Sequence, residues 1–205
     1  MIVDERLVTY INSLDTGNTE ILDEIEREAL ETYVPIVRKE MQSFLKLILS
    51  IKRPARILEV GTAVGFSAIL MAEYNPIPCE ITTIENYEKR IPIAKQNFVR
   101  AGKEKQITLL EGDAADILKE LREPFDFIFM DIMMPVMDGL EATRQIRTLN
   151  RKDTKEIPII AMTANAFQDD IRDCIDAGMN AHIAKPIDSK KIEDTLQFVL
   201  KQKMS

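Results

Sequence analysis

Three acidic residues and two glycines in this chain fall where they could do chemistry. Gly61 and Gly65 bracket a turn in Ile57-Leu-Glu-Val-Gly-Thr-Ala-Val-Gly-Phe-Ser67, which reads as a buried strand running into a helix. Bare glycines let a ligand approach the backbone, and the helix opening near Gly65 offers unpaired N–H groups and the positive end of its dipole. Glu85 ends the run Thr82-Thr-Ile-Glu85, 24 positions after Gly61. That spacing is close to the roughly 20 residues separating a glycine turn from a ribose-binding acid in dinucleotide folds. A carboxylate there can accept two ribose hydroxyls. Asp113, in Glu111-Gly-Asp-Ala-Ala115, could read an adenine edge together with the Ala114 amide. Two plainer roles stay open: Glu85 as a charge favoured by a helix dipole, and Asp113 as an ordinary helix N-cap. Asp131 ends a fourth apolar run. Further on, Thr163 can simply end a strand, Lys185 can pair with Asp131, and the lone His182 is most simply a packing or surface residue.

These residues need a scaffold of alternating elements. Before residue 55, Ile21, Ile25 and Leu30, then Phe44, Leu45, Ile48 and Leu49, recur at helical spacing. Three helices are expected there, the third opening at Pro35. From Arg56 the chain alternates short β-branched runs with amphipathic stretches, the pattern of βα units and a parallel sheet. Six strands are expected: Arg56 to Val60, Glu80 to Ile84, Gln106 to Leu110, Phe125 to Met130, Ile157 to Met162 and Ala181 to Ala184. Gly102 and Gly178 are placed as left-handed helix caps. No repeat or flexible linker divides the chain.

Bulk composition excludes several classes. The 205 residues, 45% of them hydrophobic, suffice for one well-buried core. A formal net charge of -7 gives no footprint for nucleic acid, which is bound by clustered Lys and Arg. Neither a signal-peptide start nor an apolar run of spanning length is present, so a soluble, cytoplasmic protein is expected. Cys79 and Cys174 match no metal-ligand spacing and read as ordinary thiols.

Residues 1 to about 131 resemble the small S-adenosylmethionine-dependent O-methyltransferases, including the bacterial tRNA wobble-uridine and catechol types. The matching stretches are Pro35-Ile-Val, Ile57 to Ala72, Thr83-Ile-Glu85, Gly112-Asp-Ala-Ala115 and Phe125-Asp-Phe-Ile-Phe-Met-Asp131. The resemblance implies that Glu59, Gly61, Thr62, Gly65 and Ser67 frame S-adenosylmethionine or S-adenosylhomocysteine. It further implies that Glu85 holds the ribose, that Asp113 and Ala114 contact adenine, and that Asp131 sits beside the reactive methyl. In cation-dependent relatives the acid at that last position is a metal ligand. It also implies N-terminal helices that help form homodimers.

After Asp131 the chain leaves that family. Met130-Asp-Ile-Met-Met-Pro-Val-Met-Asp-Gly-Leu-Glu-Ala-Thr-Arg-Gln-Ile-Arg147 resembles receiver domains of response regulators, particularly those of hybrid histidine kinases. So do Ile157-Pro-Ile-Ile-Ala-Met-Thr-Ala-Asn-Ala166, Asp176-Ala-Gly-Met179 and Ala184-Lys-Pro-Ile-Asp188. That resemblance implies Asp131 as phosphoacceptor, Thr163 and Lys185 on the phosphoryl oxygens, His182 at the switch-aromatic position and a cis Lys185–Pro186 bond. A receiver also holds Mg²⁺ with an acid pair after its first strand, and here Gly61-Thr62 occupies that place. The Mg²⁺ site is therefore incomplete and Asp131 a vestigial phosphoacceptor.

Both families place an aspartate at the carboxyl end of the strand beside their first strand, at the switch point where ligands bind. The combined expectation is a three-layer αβα, doubly wound, parallel six-stranded sheet of order 3-2-1-4-5-6 in one domain, with an N-terminal helical extension. Its methyltransferase-like part is 1–131 and its receiver-like part 132–205. A join inside a core points to an engineered chimera that binds the nucleoside cofactor without efficient methyl transfer. The alternatives are an active O-methyltransferase, a phosphorelay domain and an inert scaffold.

Overall fold

The computed structural model describes residues 17–130, 139–148, 154, 157, 159–163 and 168–184. Among the described residues two helices, α1 (Glu20–Glu31) and α2 (Lys39–Lys52), precede the alternating part. That part runs β1 (Arg56–Val60), α3 (Phe66–Tyr74), β2 (Glu80–Glu85), α4 (Ile91–Arg100), β3 (Ile107–Glu111), α5 (Ala114–Glu120) and β4 (Phe127–Met130). It continues through α6 (Gly139–Thr148), β5 (Ile160–Thr163), α7 (Gln168–Asp176) and β6 (Ala181–Ala184).

The helix expected to open at Pro35 instead begins at Lys39, behind Arg38 in an extended conformation. A proline disfavours helical geometry in the residue before it. In addition, α1 ends in a capped turn, with the Val34 amide donating to Ala29 O at 2.8 Å and Tyr33 at φ 55°. Residues 34–38 form neither helix nor strand. Gly102 and Gly178 take the left-handed conformation expected of them, at φ 64° and 96°.

Strands β3-β2-β1-β4 form one parallel sheet in that order, and β5-β6 a parallel pair. Among the described residues the strands thus form a four-stranded and a two-stranded parallel ladder, in the expected relative order within each. β5 begins at Ile160, three residues later than the sequence suggested. The residues before it bond elsewhere: Ile157 O accepts from Arg147, while Ile159 exchanges main-chain and side-chain bonds with Asn180. Pro158, having no N–H, has no donor for a ladder.

Strand alternation divides the core into two layers. On one face Ile57, Ile81 and Ile107 pack under α3 and α4, with Phe127 and Phe129 against them. Here α3 is apolar all round, as a helix enclosed on every side must be: the sheet lies beneath it and the buried stripes of α1 (Leu22, Ile25, Ala29) and α2 (Leu45, Leu49) lie above. On the other face Leu58, Val60, Ile84, Ile128 and Met130 pack with Leu118 of α5, Ala142 and Ile146 of α6, Ile159, Cys174 and Met179. This second layer draws side chains from before and after residue 131.

Candidate functional site at the carboxyl edge of the sheet

Three βα turns meet at the carboxyl ends of β1, β2 and β3. The first turn takes positive φ at Gly61 (99°), Ala63 (49°) and Gly65 (84°). The Gly61 and Thr62 amides both donate to Ile84 O, at 3.1 and 3.2 Å, while Gly65 N donates to Thr62 O. Asn97 of α4, itself buried, donates from Nδ2 to Val64 O at 2.9 Å. The reason for glycine at 65 is packing as well as backbone freedom. A Cβ there would stand 2.5 Å from Phe98 Cε1.

Glu85 binds the turns to one another. Its Oε2 accepts from Ala63 N at 2.7 Å, and its Oε1 from Asn86 N and Tyr87 N at 3.1 and 2.9 Å. Its main-chain oxygen accepts from Gly112 N of the third turn. A carboxylate has about four acceptor sites, so three N–H donors leave room for a further hydroxyl at this largely buried side chain. Asp113 takes the N-cap role: its Oδ1 accepts from Ala115 N at 2.8 Å, at the opening of α5. Asp113 and Ala114 both stay partly exposed beside that cap.

Glu59 and Thr62, expected to frame a ligand, are 0% and 1% exposed. They act from beneath the turn. Ser67 of α3 donates its hydroxyl to Glu59 Oε1, and Thr83 Oγ1 lies 2.5 Å from Glu59 Oε2 and 2.6 Å from Thr62 Oγ1. The sequence offers no sign of Thr83 or Asn97, because the partners of a buried polar group come from other strands and helices.

Asp131 and Lys185 lie outside the described residues. Thr163 ends β5 opposite Ala184, the residue before Lys185, and His182 pairs with Ala161 in the same ladder. In the β1–β4 register Val60 faces Met130, where the described part of β4 ends. Among the described residues no group of three His, Cys, Asp or Glu side chains could hold a metal ion. The residues at the end of β1 do not fit Mg²⁺.

Sequence reasoning missed Arg147, at the end of α6. Its guanidinium donates to the main-chain oxygens of Gly178, Thr154 and Ile157 and to Asn180 Oδ1 at 2.7 Å. Burial holds its pKa below the usual arginine value, yet an arginine keeps its charge at any accessible pH. It ties α6 to the segments before β5 and β6. A separate open cavity of about 560 Å³ lies toward the start of β2, lined by Asn75, Pro76, Cys79, Glu80 and Gln106 among others. Ligands in open α/β sheets bind at the carboxyl edge, and the converging turns are there.

Comparison with known proteins finds two family matches. The O-methyltransferase family model covers residues 12–135 and the response regulator receiver domain model covers 95–197. They overlap across β3, α5 and β4. The chain is 46% identical over 80 residues to probable histidine kinase 2 of Oryza sativa subsp. indica, spanning 39% of this chain and 8% of that protein. Among solved structures, an O-methyltransferase from Bacillus cereus in complex with SAH matches with a TM-score of 0.55 and 30% identity, over 62% of this chain and 60% of that one. The SAH-bound methyltransferase of Podospora anserina matches with a TM-score of 0.60 and 25% identity, over 71% and 65%. The chain thus spans under two thirds of these methyltransferases and less than a tenth of the kinase.

Proposed function

Since the chain belongs to the O-methyltransferase family over residues 12–135 and to the response regulator receiver family over 95–197, we propose that it is a composite α/β protein that binds S-adenosylmethionine or S-adenosylhomocysteine without efficient methyl transfer. The observation that carries this reading is Glu85, whose one side chain holds the glycine turn and its own turn while keeping acceptor capacity for ribose. Gly61 and Gly65 shape the approach, Ser67 and Glu59 support it from α3 and β1, and Asp113 with Ala114 takes the adenine in this reading. The two similar methyltransferases were each solved with SAH.

When bound, the cofactor supplies an electrophilic methyl group. The residues of this chain bind and orient it, but transfer needs an acceptor held in line with that methyl. The family's acceptor wall follows the fourth strand, and here receiver-type sequence replaces it. A shared core across residue 131 supports one domain with the strand order 3-2-1-4-5-6, and the position of the join supports an engineered origin. Leu47 and Ile51, one turn apart on α2 and both exposed, support a homodimer through the N-terminal helices. No described helix is long and apolar enough to cross a membrane.

A phosphorelay role is the second reading, favoured by the receiver match and opposed by Gly61 at the position of the metal acids. Thermal melting with S-adenosylhomocysteine tests the first: the midpoint rises with ligand concentration if the cleft binds. An unchanged midpoint up to millimolar ligand contradicts it. A methylation assay with tRNA and catechol acceptors separates binding from turnover.

A further inference from the structure

Beneath the glycine turn, hydroxyl chemistry fixes a direction of hydrogen bonding. A hydroxyl carries one hydrogen and two acceptor lone pairs. Thr83 spends its hydrogen on Glu59 Oε2 at 2.5 Å. In the 2.6 Å contact between Thr83 and Thr62 the donor must therefore be Thr62. The relay runs Thr62 to Thr83 to Glu59, with Ser67 arriving at the other Glu59 oxygen. Thr83 faces Glu59 directly in the β1–β2 ladder, and all three members of the relay are at most 1% exposed. Its neighbour Ile84 receives the Gly61 and Thr62 amides. Residues 83 and 84 thus grip the turn by side chain and main chain together, although Thr83 is sealed from the cleft.

We propose that Thr83 is a positioning residue for cofactor binding, acting through Thr62 and Glu59 on the shape of the 61–65 turn. This rests on the nucleoside-cofactor reading above. Thr83→Val keeps the shape and removes the relay, so that Thr62 loses its acceptor and Glu59 one donor. Thr83→Ser keeps the relay.

The test uses the full chain with S-adenosylhomocysteine as probe, by titration calorimetry and by amide NMR of the ligand-free protein. Loss of one buried hydrogen-bond connection predicts binding about tenfold weaker in T83V, with T83S restoring the parent affinity. In the ligand-free protein the amide signals of residues 61–65 shift in T83V and stay in place in T83S. Parent-like affinity and unmoved turn amides in T83V overturn the proposal, as does a T83S variant as weak as T83V. If the parent itself fails to bind, the cofactor reading falls, and the ligand-free amide shifts still decide whether Thr83 sets the turn. Should T83V not fold, Thr62→Val breaks the same relay from its other end, and parent-like affinity there is equally contradictory.

Discussion

Replacing Gly65 by alanine separates the two demands that fix glycine at this position. At φ 84° an L-residue is in left-handed territory, which costs roughly 1–2 kcal/mol. The added methyl would also stand 2.5 Å from Phe98 Cε1, and the ring is 3% exposed in a packed core, so it cannot swing into solvent. Overpacking of this kind costs roughly 1–3 kcal/mol. Gly65→Ala should therefore destabilise by about 2–5 kcal/mol in urea unfolding, with the slope unchanged. Pairing it with Phe98→Ala isolates the clash: coupling of about 1–3 kcal/mol is expected, because the ring that met the new methyl is gone. The left-handed penalty persists in the double variant. A single-variant cost under about 1 kcal/mol, or strict additivity in the cycle, would refute the reasoning.

Other perturbations test the remaining parts. Arg147→Met leaves three main-chain oxygens and Asn180 without their guanidinium donor and should cost about 2–4 kcal/mol by chemical denaturation; a neutral effect would show that water replaces it. The Arg100 hydrogen bond holds the Glu28 carboxyl below its usual value, with burial opposing. Its contribution is then present at neutral pH and lost as pH falls below the ordinary 4.5 through the lowered folded value. Glu28 is about half exposed, so screening limits this to about 0.5 kcal/mol; the stability difference between the parent and Arg100→Ala should shrink as pH falls below 4.5 and at high salt. Beryllofluoride with Mg²⁺ should leave the NMR spectrum unchanged, since Gly61 follows β1 where a receiver needs acids. Shifts clustered around residues 131 and 163 would revive the phosphorelay reading.

Much of the architecture is legible in the amino-acid sequence. Alternating apolar runs place the strands, the motif around Gly61 places the first turn, and the spacing to Glu85 singles out the acid that links the turns. Asp113 is legible as a cap and is one. What escapes are contacts that sequence distance hides: Phe98 against Gly65, Thr83 opposite Glu59, and Arg147 reaching Asn180. Each is set by how strands and helices from remote parts of the chain come together, and local periodicity carries no record of that. Glu59 shows the limit well, because the family resemblance implies that it frames the cofactor, whereas here it is sealed beneath the turn and bonded to Ser67 and Thr83.

The most direct test of the central claim is titration calorimetry of the full chain with S-adenosylhomocysteine, alongside the Glu85→Ala variant. The account predicts saturable one-site binding by the parent and at least tenfold weaker binding by the variant, on protein that remains folded by circular dichroism. Absence of binding by folded parent, or equal binding by both proteins, would contradict it.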